Sequence, residues 1–570
     1  MPDRGEGLPL NEHEGPSPRT GPVLLLGLDG AGWPVLEPLI CSGRMPFLAG
    51  MMERGAWGTL MSPWPGSTFP SWTSIMTGVP PGVHGMMDFT RFDPTTYSVH
   101  FVDARSRRVP AIWERAHQAG RVSAALGIPG TFPPDESVDL MISGFDTPVT
   151  TSIEPSFIHP PAWRRKLAAA GGFPLTPVQE LRIGRGWHTK AWRALQESID
   201  GKVRIAEFVL RELQPDLLVM VFGESDTVCH HFWPFADPRS PRAGPGSFPD
   251  LSGAIADVYS RLDGALSRIV AGAKAPALVM VVSDHGFGGA GVDALCLNRF
   301  LALNGFLQFA GRRIPSPRVS AAVRAAALLP RGAQQWLFRR ARGLVSAMES
   351  RRRVGGIRWD ATIAYSEELP YAPAVRINLR GREGRGVVDG GEYDRIREEV
   401  SAALLSWRHA DNGDPIVSRV WRREDLVQGP AAAHMPDLLL DLHTPGGYTY
   451  VVRPSGGHDG PVEERLVRTK LGAKGTGMGG THRREGILVA QGAGVHPGRI
   501  AEPVEAHRVA GSVLAALDVS VPPLVGQPPD GLPRPTFRDR DDGASAQVET
   551  GDEPWEWTRM ERLKGLGYLG

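Results

Sequence analysis

Three short apolar runs that each stop at an acidic residue constrain this chain more than any other feature. They are VLLLGLDG, ending at Asp29; DLLVMVFGESDTVCHH, with Asp226, His230 and His231; and ALVMVVSDHGF, with Asp284 and His285. Apolar residues fill these runs without alternation. That pattern marks strands buried on both faces, as in parallel sheets covered by helices. DLLLDL (437–442) and GILVAQG (486–492) read the same way. Helix-like stretches at 201–213 and 253–272 lie between them. Strands alternating with helices predict an α/β fold, a three-layer α/β/α body around a central, mostly parallel sheet.

The remaining segments suggest how the chain is divided. Residues 1–20 are rich in Pro, Gly and charge and read as a disordered tail. The first part of the core then spans 21–295, an inserted cap 296–435, and the second part of the core 436–525. Residues 526–570 read as a linker and a C-terminal helix. The insertion carries an Arg-rich helical stretch at 319–353 and a helix near 392–407. The Arg-rich stretch fits the solvated face of cap helices, and the other use for it is attraction of an anionic substrate or membrane surface.

Charge and cysteine use exclude several classes. With 63 basic and 62 acidic side chains, a nucleic-acid partner is not expected. Cys41, Cys229 and Cys296 include no CxxC pair, so neither a disulfide framework nor a thiolate zinc site is expected. No apolar run approaches the ~20 residues of a membrane span. The start of the chain lacks the apolar stretch of a signal peptide, and the expectation is a cytoplasmic protein.

Ligands of open α/β sheets bind beyond the carboxyl ends of the strands. Asp29, Asp226, His230, Asp284 and His285 fall there. Carboxylate oxygens together with imidazole nitrogens suit zinc or manganese better than magnesium or calcium. Asp226 and His230 are one helical turn apart and share a face. Each residue also has a plainer reading: a turn for Asp29, capping or surface solvation for Asp226 and His230. The joint pattern is what points to metal. Thr68, in GSTFPSWTSIMTG, stands at the entry to a helix expected over Trp72–Thr77. It reads either as an N-cap or as a hydroxyl nucleophile activated by a divalent cation.

In order along the chain, LLLGLDG, STFPSWTSIMTGVPPGVHG, ESDTVCHH, VVSDHGF and GGTHRREGILVAQGAGV resemble the alkaline phosphatase superfamily, within it the type I phosphodiesterase/nucleotide pyrophosphatase branch. The resemblance implies two divalent metal ions, zinc with manganese as the alternative. Asp226, His230 and His482 would hold one. Asp29, Asp284 and His285 would hold the other, with Thr68 coordinated to it as the nucleophile that forms a phosphothreonine. His482 enters only through the resemblance; the Gly-rich run before it lacks the GK[ST] of a P-loop. The substrate would be a small phosphorylated molecule, a phosphodiester in first place.

Nucleotide pyrophosphatases carry an Asn after the HG motif that binds a phosphoryl oxygen. Here HGMMDF puts Phe89 at that position with Asp88 beside it, which leaves the donor to a backbone N–H near Phe69 or to a cap residue. Sulfatases use C/S-x-P-x-R, whereas FPSW follows Thr68. His231 is either a proton donor to a leaving group or a structural side chain. A phosphomutase is the alternative activity, and a non-catalytic binding protein on the same fold is the third reading.

Overall fold

A computed structural model describes residues 21–145, 156–175, 178, 181, 186–243, 249–311, 342–466 and 478–536. The expected tail at 1–20, residues 319–341 of the Arg-rich stretch, residues 472–477 of the Gly-rich run, and 537–570 with the expected C-terminal helix lie outside the described residues.

The elements that position the site are, in chain order, β1 (Val23–Leu28), β2 (Ala56–Met61), α1 (Thr68–Thr77), β3 (Ser123–Ile128), β4 (Leu140–Ser143), α2 (Trp187–Glu212), β5 (Leu217–Phe222), α3 (Glu224–Ala236), α4 (Ala254–Gly272), β6 (Leu278–Val282), β7 (Gly286–Leu295), β8 (Gly480–Arg483) and β9 (Glu485–Gly492). The main sheet runs Gly498–Arg499, β2, β9, β6, β1, β5, β3, β4, Ile158–His159. Its five central strands, β6, β1, β5, β3 and β4, are parallel. All six residues of β1 and of β5 are buried, which explains their unbroken apolar runs.

Alternate residues of β1 feed different cores. Leu24, Leu26 and Leu28 pack with α2 and α4, through residues such as Ile199, Val203, Leu262 and Leu266. Val23 and Leu25 pack on the opposite face with Trp72, Ile75 and Met76 of α1. Helices therefore cover both faces, and the fold is the expected α/β sandwich around a mostly parallel sheet. Burying each of these large side chains contributes on the order of 2 kcal/mol.

Three local expectations change. The run 486–492, read as one more parallel strand, is antiparallel to both β6 and β2. Its direction has a consequence for the site, since an antiparallel strand starts where its parallel neighbours end. The run 437–442 is not in the main sheet. Leu438–Leu442 belongs to a separate antiparallel sheet with Ala364–Tyr365, Ala374–Ile377 and Val417–Arg422. A short leucine run is buried in either setting, so its composition does not choose between them. Finally, α1 begins at Thr68, four residues before the expected start. Pro70 lies in its first turn, where the missing N–H breaks no helical hydrogen bond. The helix stops at Gly78, whose φ of 76° is left-handed and whose N–H bonds back to Ser74 O.

Among the described residues, no helix is long and apolar enough to cross a membrane.

Candidate metal centre

The carboxyl ends of β1, β5 and β6 converge, and the residues just beyond them meet. Asp29 follows β1 directly. The next residue, Gly30, has a φ of 68°, and a Cβ there would come within 3.2 Å of Asp226 Oδ1. Glycine at this turn lets Asp226 approach Asp29. Asp226 and His230 share one face of α3, as their spacing predicts, and Asp284 and His285 occupy the short loop between β6 and β7. His482 arrives from β8, where it pairs with Phe287. Because β9 runs antiparallel, the chain entering it crosses this edge of the sheet, which brings a late His beside residues from early strands.

Imidazoles and carboxylates approach one another closely across the cluster. His285 Nε2 lies 3.4 Å from Asp29 Oδ1 and 3.4 Å from Asp284 Oδ2. Asp226 Oδ1 lies 3.3 Å from His230 Nε2 and 3.5 Å from His482 Nε2. The two imidazole nitrogens of His230 and His482 are 3.2 Å apart. Asp29, Asp284 and His285 can each offer a ligand atom to one position, and Asp226, His285 and His482 to a second. His285 thus borders both positions, and His230 closes on the second. Thr68 Oγ1 is 3.3 Å from His285 Nε2. Thr68 stands at the first position of α1, where the helix dipole favours a negative charge. Ser67 holds the N-cap position and makes no side-chain cap.

The hydrogen bonds around the cluster leave its inner atoms for a cation. Trp72 Nε1–H donates to Asp29 Oδ2 at 3.0 Å, and Gly30 N–H donates to Asp284 Oδ1 at 3.2 Å. The other oxygens, Asp29 Oδ1 and Asp284 Oδ2, are buried and accept no hydrogen bond, and Asp226 Oδ1 is in the same state. The Nδ1 atoms of His230 and His285 face the carbonyls of Gly480 and Gly286 at 2.9 and 3.0 Å. A carbonyl only accepts, so the ring proton sits on Nδ1 and the Nε2 lone pair points inward. Carboxylate oxygens without donors beside inward lone pairs are what a bound cation requires.

Charge gives the same picture. Burial, then repulsion from Asp226, raises the Asp29 carboxyl well above its usual range. Burial and the proximity of Asp29 do the same to Asp284. Burial also acts upward on Asp226, but attraction to His230 overrides it and holds that carboxyl low. Burial lowers His285 to about 4 and pushes His482 well down. Three crowded carboxyls call for positive charge, which a divalent cation can supply.

Several contributors carry no sequence signal of their own. Tyr371 stacks flat on His482, ring centroids 4.0 Å apart. Lys202 Nζ lies 3.0 Å from Glu224 Oε2, a buried ion pair joining α2 to the start of α3. Trp72 could have been found as the residue one turn beyond Thr68. His231 packs edge-on against Trp187 at 4.8 Å, on a different face of α3 from His230. Phe89 is buried with its ring 4.3 Å from that of Phe69, so no side-chain donor stands there. Burial raises the neighbouring Asp88 carboxyl to about 6.

A family model described as type I phosphodiesterase / nucleotide pyrophosphatase matches residues 23–463. The chain belongs to this family. As a member of the type I phosphodiesterase / nucleotide pyrophosphatase family it is a phosphoester hydrolase. Among solved structures it is similar to phosphonoacetate hydrolase from Sinorhizobium meliloti, at 15% identity and a TM-score of 0.49, over 88% of this chain and 96% of that one. It is also similar to human ectonucleotide pyrophosphatase/phosphodiesterase 5, at 14% identity and a TM-score of 0.46, over 89% of this chain and 97% of that one.

Proposed function

We propose that the chain hydrolyses a phosphodiester through a phosphothreonine on Thr68. Two divalent cations, zinc with manganese as the alternative, are held by Asp226, His230 and His482 and by Asp29, Asp284 and His285. The observation that carries this reading is the inward set of donor-free carboxylate oxygens and imidazole lone pairs within a few ångströms of Thr68. When bound, the cations supply the charge that makes the Thr68 hydroxyl acidic and offsets that of the phosphoryl oxygens.

The chain's own residues do the remaining work. Trp72 and Gly30 fix Asp29 and Asp284 through their outer oxygens. Thr68 Oγ forms the bond to phosphorus as the ester bond to the leaving alcohol breaks. Water then cleaves the phosphothreonine, releasing a phosphomonoester and restoring the hydroxyl. The buried site favours these steps by excluding bulk solvent, which strengthens each electrostatic contact. The insertion at 296–435 acts as the cap that sets the substrate, and Tyr371 brings it against His482.

Metal analysis combined with turnover of bis(p-nitrophenyl) phosphate and p-nitrophenyl phosphate tests the proposal. Two cations per chain and faster release from the diester are expected. A chain that carries both metals yet turns over neither ester would sink it. Return of the phosphoryl group to a product hydroxyl, with no monoester released, would favour the mutase.

A further inference from the structure

A cavity of about 580 Å³ opens between the core and the inserted segment. Its wall starts next to the nucleophile. Asp88 lines it, and the Ser67 hydroxyl, one residue before Thr68, donates to Asp88 Oδ1 at 3.4 Å. On the other side its lining includes Leu369 and Ala372, which flank Tyr371, the residue stacked on His482. Through Ser67 and Asp88 the cavity adjoins the Thr68 site.

The charge of the lining is uneven. Arg91, Arg105, Arg108 and Arg376 face the cavity, against two carboxylates, Asp88 and Glu367. Arg376 is committed, with its Nε 2.8 Å from Glu367 Oε1 and its Nη2 donating to the His434 carbonyl. Arg105 is held on Asp103 at 2.6 Å. Arg91 and Arg108 have no salt-bridge partner among the described residues. They come from separate places, Arg91 from the strand Thr90–Asp93 and Arg108 from the loop after Ala104–Ser106. Both nevertheless line the same cavity. The His434 imidazole, also on the wall, is lowered first by burial and then by Arg108, Arg91 and Arg376. A guanidinium that no carboxylate occupies keeps its forked donors for an anion, which it binds by bidentate hydrogen bonding.

We propose that Arg91 and Arg108 bind a second phosphate group, carried by the substrate on the arm beyond the scissile phosphorus. This rests on the hydrolase reading of the Thr68 site and adds a substrate class to it: phosphodiesters that bear a further terminal phosphate. Phosphate, with several oxygens on one centre, can satisfy two forked donors at once, whereas a neutral arm supplies neither with a counter-charge.

Two diesters sharing a p-nitrophenyl leaving group test the assignment, one with a propyl arm ending in hydroxyl and the other with that arm ending in phosphate. The full chain with its metals is expected to show a kcat/KM at least ~10-fold higher on the phosphate-ended substrate. That ratio should fall toward one in the Arg91→Met/Arg108→Met double variant and below one in Arg91→Glu, through KM. Equal kcat/KM in the unmodified chain, or an unchanged ratio in the variants, overturns the proposal. If neither diester is hydrolysed, the hydrolase reading fails by itself. The cavity is then read calorimetrically with ethane-1,2-disulfonate, an anion of little affinity for metal ions. Binding that is lost in the double variant supports the arginine site, and binding that is absent or unaffected by the substitutions overturns it.

Discussion

Trp72 Nε1–H donates to Asp29 Oδ2 at 3.0 Å, tying the helix that carries Thr68 to the end of the central strand. The bond occupies the outer oxygen of Asp29 and leaves Oδ1 directed at His285. Trp72 touches no substrate; its effect passes through Asp29. Trp72→Phe keeps most of the packing and removes the donor. Metal affinity should fall by about 10- to 100-fold, the usual cost of losing an outer hydrogen bond to a ligand. Competition with a chromogenic chelator measures this, and an unchanged affinity would show that Asp29 does not depend on the bond.

Thr68→Ala removes one hydroxyl from a site whose carboxylates and imidazoles remain. Metal stoichiometry should be preserved while kcat falls by roughly 10³-fold or more, as for loss of a covalent nucleophile. Thr68→Ser keeps the hydroxyl and should retain much of the activity. Near-full turnover in the alanine variant would remove Thr68 from the chemistry and leave it as a helix residue.

His482→Ala should lower the bound metal by one equivalent while leaving the Asp29 position filled. The two candidate ligand groups have only His285 in common, so loss of His482 leaves three ligand side chains at the Asp29 position. Elemental analysis after gel filtration counts the equivalents. A stoichiometry equal to that of the unmodified chain would assign the His482 ring a packing role under Tyr371.

The contrast between Asp29 and His482 explains what could be read before the fold was known. Asp29 follows its apolar run directly and Asp226 and Asp284 come within one short turn of theirs, so strand direction brings them to one edge of the sheet. His482 reaches that edge because β9 runs against its neighbours, and nothing in GILVAQG distinguishes that direction. Only the resemblance supplied it. DLLLDL failed for a related reason, since a buried leucine run fits a separate antiparallel sheet as well as the main one. Tyr371 was invisible: it lies on irregular chain, and its place over His482 follows from packing between segments distant in sequence. The same holds for Arg91 and Arg108, which come from separate segments that give no sign of lining one cavity.

His84, in the HG motif that helped mark the family, has a role the motif does not reveal. It is fully buried; its Nε2 lies 3.0 Å from Ser74 Oγ in α1, and its Nδ1 accepts from Met86 N–H at 3.1 Å. An acceptor Nδ1 puts the ring proton on Nε2, so the ring is neutral and clamps α1 to the following turn. Burial lowers its pKa from 6.5 to about 3. The unfolded chain therefore takes up a proton near pH 6.5 that the folded chain refuses until about pH 3. Stability from this group is complete above pH 6.5 and drains away as pH falls through that window, on the order of 4 kcal/mol over its whole span. In His84→Gln the amide can keep both hydrogen bonds but cannot titrate. Between pH 7.5 and 5 the melting temperature of the unmodified chain should drop by several degrees more than that of the variant. Equal drops would mean that the acid sensitivity of the fold lies elsewhere.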